Sequence, residues 1–210
     1  MKHTIILDFM GVVADTNYLK LVSSFSLKEK YRALRVLAAL KTNREIRSAF
    51  SSYQKGLINV EELEQIFSKY YPKQAYMVPI LLNRFMDFTT INHKVLEMVQ
   101  TIRSQGSQVI LMSNATPEVL KVIREEKIDT YFDGLILSNE LQMKKPSPEI
   151  YKYAIKTYNF EPEYAVMIDD SSKNLATAGK FGITPIIASS SQETYKILNE
   201  LLEVLDFSYI

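Results

Sequence analysis

The chain has no cysteine and only two histidines among its 210 residues. The lack of cysteine excludes disulfide bonds and thiolate metal sites, and it agrees with a reducing cytoplasm. His3 and His93 stand far apart, without the spacing of a zinc site, so we expect both to be structural or surface residues. A metal site in this chain would therefore be built from oxygen ligands.

An excess of one charge and long apolar runs are also missing. The formal net charge is +1, which gives no reason to expect a nucleic acid or an anionic membrane as a partner. No apolar run reaches the ~18 residues of a membrane span. The apolar run near the N-terminus is short and interrupted by Asp8, which makes it a poor signal peptide. We therefore predict a cytoplasmic protein that binds neither nucleic acid nor membrane.

Five short runs rich in β-branched and aliphatic residues predict the buried strands of a parallel sheet. They cover residues 4–8, 109–113, 135–138, 165–169 and 184–188. Helical patterns follow at 92–105, 117–126, 148–158, 171–181 and 192–205, with Thr116 and Ser147 as expected caps before two of them. Strands that alternate with helices of this length indicate an α/β fold with a parallel sheet.

Residues 15–88 have a different pattern, with no convincing strand. Apolar residues recur there at helical spacing, and Asn59 is an expected N-cap of a helix over 60–69. We interpret this stretch as a helical domain inserted into a core made of residues 1–14 and 89–210. It should lie over the carboxyl edge of the sheet, where the chain leaves after Asp8, either as a lid that excludes water or as a packing subdomain. Five of its side chains are candidates for reading a substrate: Arg32, Arg44, Arg47, Tyr53 and Lys55.

Carboxylates directly follow two of the predicted strands. Asp8 ends the first strand, and Asp169 and Asp170 end the fourth. Open α/β sheets place their ligands at the carboxyl ends of strands, so adjacent strands would bring the three carboxylates together. Like charges at that distance repel unless a cation lies between them, and oxygen ligands without thiol or imidazole favour Mg²⁺.

Four further polar residues complete an ordered series along the chain. Ser113 and Asn114 end the second predicted strand, Lys145 precedes Pro146, and Asn174 follows Asp170 by four residues. Each position is weak evidence when taken singly. Their order and their placement at strand ends form a strong signal when taken together.

This series resembles the four motifs of the haloacid dehalogenase (HAD) superfamily. Residues 8–15, 111–114, 145–151 and 168–174 are similar to its first, second, third and fourth motifs. The resemblance implies a three-layer Rossmann-like core with a C1-type helical cap, as in subfamily I. Within the superfamily, the chain looks most like the small phosphatases and the N-terminal domain of epoxide hydrolase.

The resemblance also implies roles for the residues that match these motifs. Asp8 would be the nucleophile and would form an aspartyl-phosphate, with Lys145 as the second catalytic residue. Phosphate would be bound by Ser113, Asn114 and Lys145. A magnesium ion would be held by Asp8, the Met10 backbone carbonyl, Asp169 and Asp170, and Asn174 would orient Lys145 or a metal ligand. The expected substrate is a small phosphorylated metabolite.

Met10 departs from the pattern of the family's phosphatases, which have an acid/base Asp at the matching position. Methionine cannot transfer a proton, and the loss of a general acid/base typically costs ~10²–10⁴ in rate. Three interpretations stay open: a phosphatase with weakened acid/base catalysis, a catalytically impaired phosphate-binding or regulatory protein, and a dehalogenase-type hydrolase. The Asp169-Asp170 pair argues against the last one. We expect Asp15 to be a helix cap or hinge residue rather than a substitute base.

Oligomeric state is not readable from the residues, and both a monomer and a homodimer fit. The last four residues, 207–210, are largely apolar and would pack onto the core or against a second subunit.

Overall fold

The apolar runs of the sequence form the strands of the computed structural model, which describes residues 3–205. The strands are β1 (Thr4–Leu7), β2 (Ala14–Thr16), β3 (Thr89–Ile91), β4 (Gln108–Ser113), β5 (Gly134–Leu137), β6 (Ala165–Asp169) and β7 (Thr184–Ile187). Five of them form one sheet in the order β5-β4-β1-β6-β7, and every neighbouring pair in it is parallel. The carboxyl end of β1 therefore lies between those of β4 and β6.

Helices cover both faces of this sheet, which makes three layers. The helices are α1 (Tyr18–Ser23), α2 (Leu27–Thr42), α3 (Arg44–Gln54), α4 (Val60–Tyr70), α5 (Met77–Phe85), α6 (His93–Ser104), α7 (Pro117–Glu125), α8 (Ser138–Leu141), α9 (Pro148–Tyr158), α10 (Ser172–Lys180) and α11 (Ser191–Leu205). Alternate residues of β1 serve the two faces. Ile5 and Leu7 belong to the hydrophobic cluster of α6, α7 and α11, whereas Ile6 belongs to that of α9 and α10. The predicted three-layer α/β fold is confirmed.

The predicted strands and helices of the core agree with the structure to within about one residue at each end. Asn59 caps α4 as expected, and Glu62 completes a capping box with it. Thr116 and Ser147 occupy the N-cap positions of α7 and α9 as predicted, but neither side chain bonds the backbone of its helix. Proline at the first position of both helices presets the backbone, and its missing N–H is one of the amides that the first turn would leave unpaired in any case.

The prediction of a strand-free insert over 15–88 is wrong at its start, where residues 15 and 16 belong to β2. β2 and β3 pair antiparallel where the chain leaves the core and where it returns, with Asp15 opposite Thr90. Each strand has only three residues and finds its partner more than seventy positions away. The local sequence does not predict so short a two-stranded ribbon, because each strand depends on the other for its hydrogen bonds.

Helices α1–α5 of the insert surround a hydrophobic cluster of their own, which includes Leu21, Val36, Ile46, Leu63 and Met77. The end of α3 reaches the core at the carboxyl edge of the sheet. There the Ser138 hydroxyl, at the end of β5, donates to the Gln54 carbonyl over 2.6 Å. The insert therefore lies over the edge at which the strand-end side chains meet.

No helix within residues 3–205 is long and apolar enough to cross a membrane. The C-terminal segment 207–210, for which packing onto the core or a second subunit was predicted, lies outside the described residues.

Candidate active site

Three carboxylates converge at the carboxyl edge of the sheet, because β1 and β6 are neighbours. Asp8 follows the last residue of β1, Asp169 ends β6, and Asp170 comes next. One oxygen of each carboxylate lies within 4.8 Å of the others. That spacing is short enough for shared ligation of one cation.

Lys145 forms ion pairs with two of these carboxylates. Its ammonium lies 3.0 Å from Asp8 Oδ1 and 2.6 Å from Asp169 Oδ2, and it donates to the Met112 carbonyl over 2.7 Å. The lysine side chain is completely buried. A buried ammonium with three acceptors has its three N–H groups paired, so Lys145 is held in one position.

Asp169 is more fully engaged than its two neighbours. Besides the ammonium, it accepts from the Ser171 backbone amide over 2.8 Å and from Asn174 Nδ2 at both oxygens, over 2.9 and 3.1 Å. It is wholly buried and does not line the cavity above the site, whereas Asp8 and Asp170 do. Asn174 thus orients Asp169, and Asp169 in turn orients the lysine.

The electrostatics of the cluster leave an excess of negative charge. Burial raises the pKa of Asp8 to about 6, although the Lys145 ammonium acts in the opposite direction. Burial and the nearby Asp169 carboxylate raise the pKa of Asp170. Burial alone would lower the pKa of Lys145, but the Asp8 and Asp169 carboxylates raise it above its usual value. Three carboxylates facing one buried ammonium form a site that a further cation would stabilise.

Ser113 and Asn114 occupy the end of β4, beside these carboxylates. The Ser113 side chain is buried and lines the cavity, and its hydroxyl has no protein hydrogen-bond partner within residues 3–205. The Asn114 amide is paired at both ends with the Lys145 backbone, donating to its carbonyl and accepting from its amide, each over 2.9 Å. Ser113 is thus placed to donate to a ligand, while Asn114 positions the lysine.

The turn after β1 brings Met10 and Gly11 next to the cluster. Met10 is partly buried and lines the cavity. Gly11 has a φ of +77°, and a Cβ built on it would lie 3.0 Å from Asp170 Oδ2. Glycine is therefore needed here both for the backbone conformation and for the close approach of the carboxylate.

Asp15 is turned away to the start of a distant helix. Its carboxylate accepts from the Ser191 backbone amide over 3.1 Å and from the Ser191 hydroxyl over 2.6 Å. Ser191 is the first residue of α11. Asp15 is thus a helix cap, as expected, although the helix lies 176 positions along the chain rather than beside it.

A cavity of about 1060 Å³ opens above the cluster, between the core and the insert. Gln54 and Lys144 are among the polar lining residues that the sequence analysis did not single out. Gln54, at the end of α3, donates to the Asn114 carbonyl over 3.1 Å and accepts from Lys144 Nζ over 2.5 Å. Burial and the nearby Lys55 lower the pKa of Lys144 to about 8. The adjacent lysine pair at 144–145 was a signal that could have been used, whereas nothing in the sequence distinguishes Gln54.

The prediction that five insert residues read the substrate is wrong. None of the five lines this cavity within the part of the chain that the structure describes. Arg32 donates to the Tyr76 hydroxyl over 2.6 Å at the surface. Tyr53 is buried and donates to Glu118 over 2.5 Å. Helical spacing alone does not reveal whether a charged side chain on an insert helix faces solvent, a neighbouring helix or the cavity.

Curated relatives include both phosphatases and dehalogenases. The chain is 23% identical over 198 residues to the D-ribitol-5-phosphate phosphatase of Bacteroides thetaiotaomicron, which covers 87% of this chain and 89% of that protein. It is 28% identical over 91 residues to the (S)-2-haloacid dehalogenase 4A of Burkholderia cepacia, which covers 43% of this chain and 39% of that protein. A match to the bifunctional epoxide hydrolase 2 of Rattus norvegicus spans only 24% of that protein's length. The chain therefore spans less than half the length of several of these relatives.

Solved structures with the same fold extend over almost the whole chain. A HAD-like family hydrolase of Porphyromonas gingivalis is 21% identical and has a TM-score of 0.75, with 96% of this chain and 98% of that one covered. A HAD family enzyme of B. thetaiotaomicron, solved with magnesium and inorganic phosphate, is 21% identical with a TM-score of 0.65, with 89% and 94% covered. The sequence profile of the haloacid dehalogenase-like hydrolases matches residues 2–182. On this match the chain belongs to the haloacid dehalogenase-like hydrolases.

Proposed function

We propose that this hydrolase is a magnesium-dependent phosphatase that acts on a small phosphorylated metabolite through an aspartyl-phosphate at Asp8. One observation carries the proposal. Asp8 lies at the floor of the cavity, where its Oδ1 is held by Lys145 and by the Phe9 amide over 2.7 Å. A carboxylate fixed at one oxygen and facing a cavity is arranged to attack with the other oxygen.

The donor set fits a magnesium ion. Asp8 and Asp170 both face the cavity, and carboxylate oxygens are the ligands that Mg²⁺ takes in phosphoryl-transfer sites. The Met10 carbonyl is the third protein ligand that we assign. Asp169 already accepts four hydrogen bonds and serves as an outer-shell residue. When bound, the ion would offset the repulsion between Asp8 and an anionic phosphoryl group.

The residues of this chain divide the reaction between them. Asp8 attacks phosphorus, the bond from phosphorus to the leaving oxygen breaks, and the alcohol part departs with that electron pair. Ser113 donates a hydrogen bond to a phosphoryl oxygen, and the Lys145 ammonium balances its charge. Water then attacks the aspartyl-phosphate, which releases phosphate and restores Asp8. The insert excludes bulk water from the cavity during both steps.

Met10 limits the proton transfers that this reaction can use. Neither the departing alkoxide nor the attacking water finds a proton donor or acceptor at that position. We therefore expect the chain to favour leaving groups that need no proton, such as acyl and nitrophenyl phosphates, and to hydrolyse the aspartyl-phosphate slowly. A second candidate function follows from the same residue: a regulatory protein that binds phosphate esters without turning them over. We infer a cytoplasmic location for either form.

The test is the time course of p-nitrophenyl phosphate hydrolysis with Mg²⁺. The native chain should release a burst of nitrophenol equal to the enzyme concentration, followed by a slow steady state. Asp8→Asn should abolish the burst. Met10→Asp should remove the burst and raise the steady-state rate by about 10²–10⁴. Asp87→Asn, which changes an exposed carboxylate away from the cavity, is the matched control and should behave like the native chain.

Two results would decide against turnover. The first is a native chain with neither a burst nor label transfer from acetyl [³²P]phosphate to Asp8. The second is a Met10→Asp variant that remains silent as well. Together they would leave the phosphate-binding alternative, which tight binding of a beryllium fluoride phosphate mimic would then support.

A further inference from the structure

The cavity above Asp8 is apolar on the side of the insert. Every insert residue that lines it is aliphatic or phenylalanine, apart from Tyr18, Lys41 and Gln54. Gln54 is already paired with Lys144 and with the backbone of the β4 end. The polar and charged groups of the cavity therefore gather at its floor, around the strand ends.

This lining suits a hydrocarbon and not a polyol. A hydroxyl group that leaves water without a hydrogen-bond partner loses free energy, and the insert side offers few partners. The volume of about 1060 Å³ lies at the upper end of the range for pockets that enclose drug-sized ligands. A short phosphorylated polyol would therefore leave much of the cavity unfilled and several of its own hydroxyls unpaired.

Helix α2 exposes apolar side chains to this cavity. Leu34 and Ala38 lie one turn apart on this helix, line the cavity and stay exposed, with Leu34 at 51%. Val36 of the same helix also lines the cavity, but it is only 3% exposed. An exposed apolar stripe that continues into a cavity gains free energy when an apolar ligand covers it.

We propose that the phosphate ester bound above Asp8 carries a long hydrocarbon body, such as an alkyl chain, which lies along Leu34 and Ala38 of α2. The position of its phosphate rests on the proposed phosphatase function. The nature of its body rests on the cavity lining alone.

The experiment measures the binding of alkylphosphonates, which cannot be hydrolysed at the phosphorus–carbon bond, by calorimetry in the presence of Mg²⁺. Affinity should rise from ethyl- through hexyl- to decylphosphonate, by up to about fourfold for each methylene, which corresponds to roughly 0.8 kcal/mol. Glycerol phosphate and ribitol phosphate should bind no tighter than inorganic phosphate.

Two variants on α2 locate the hydrocarbon. Leu34→Gln should weaken decylphosphonate about fivefold and leave ethylphosphonate unchanged, because only the longer chain reaches this position. Leu27→Gln is the matched control, since Leu27 is 85% exposed on the same helix and does not line the cavity. It should leave the affinity for every phosphonate unchanged. Both substitutions replace exposed side chains, so both variants should fold.

The outcomes separate this proposal from the proposed function. If affinity does not depend on chain length, or if the polyol phosphates bind more tightly, the hydrocarbon proposal is overturned while a burst with p-nitrophenyl phosphate still supports the phosphatase. If affinity rises with chain length but no ester is ever cleaved, the hydrocarbon proposal stands and the phosphatase fails.

Discussion

Removing the Lys145 ammonium should destabilise the protein strongly, even before any substrate is considered. Lys145 and Asp169 are both fully buried, with 2.6 Å between nitrogen and oxygen. Breaking a buried pair by removing one partner typically costs about 3–5 kcal/mol, because the remaining charge stays buried without compensation. Lys145→Met keeps the apolar stem and removes the charge, so we expect a loss in that range.

The loss is large enough to measure in two ways. For a chain of this size, 1 kcal/mol shifts the Tm by about 2–4 °C, so Lys145→Met should lower the Tm by roughly 6–20 °C. Urea unfolding followed by circular dichroism should give the same free energy. Both measurements belong in a chelating buffer, so that no bound cation contributes to the difference.

A double-mutant cycle assigns the loss to the ion pair. Asp169→Asn removes the opposite charge while keeping the shape of the side chain. In Lys145→Met/Asp169→Asn no unpaired charge remains at this pair, so the double variant should be about 2 kcal/mol more stable than the sum of the single losses predicts. Lys121→Met is the control, because its 3.8 Å contact with Glu125 is exposed and should be worth less than about 1 kcal/mol.

The reasoning would be refuted by a Lys145→Met variant that loses less than about 1 kcal/mol, or by a cycle in which the two losses simply add. Either result would mean that water or a shift in protonation compensates the charges that the structure buries.

Three further changes test other parts of the structure. Gly11→Ala should destabilise the chain by about 1–2 kcal/mol and reduce the rise in Tm on adding Mg²⁺, because the new Cβ needs a left-handed backbone and crowds Asp170; an unchanged response to Mg²⁺ would contradict the assigned ligand. Asp15→Ala should cost about 1 kcal/mol in urea unfolding, because the start of α11 loses its acceptor, and no loss would show that solvent replaces it. Lys144 should titrate near pH 8 in NMR of reductively methylated protein, and Lys55→Gln should raise that pKa. In the unfolded chain the pKa of Lys144 is near 10.5, above its folded value of about 8. The free energy of unfolding of the native chain, relative to that of Lys144→Gln, should therefore rise between pH 8 and 10.5. A fall would contradict the assignment.

The core was predictable because each of its elements has a strong local pattern. The run around Ile5 and Ile6 is apolar on both faces, which only a buried parallel strand needs. The cap at Asn59 was predictable for the same reason, since its partner Glu62 is three residues away. The ribbon at Ala14–Thr16 was not, because its partner strand lies at the far end of the insert.

The candidate site also has a part that was predictable from the sequence and a part that was not. Asp8, Ser113 and Asp170 were identifiable because they lie at or directly after the ends of strands, and strand order alone brings such positions together. Lys145 lies in a loop and was identifiable from its place before Pro146 in the ordered series. The engagement of Asn114 with the Lys145 backbone was not visible, because it depends on how two loops from different strands meet. The choice among the insert side chains failed because helical spacing gives a side chain's face and not what that face contacts.

The amino-acid sequence by itself determined the α/β class, the family and the acidic residues of the candidate site, because local periodicity and strand-end placement depend on neighbouring residues. It also determined that Met10 cannot transfer a proton, since that is a property of the side chain alone. Only the tertiary structure decided that Asp169 is withdrawn into a hydrogen-bond network with Lys145 and Asn174 while Asp8 faces the cavity. It also decided that this cavity is apolar on the side of the insert, because that wall is formed by helices whose inward faces are set by packing between elements far apart in the chain.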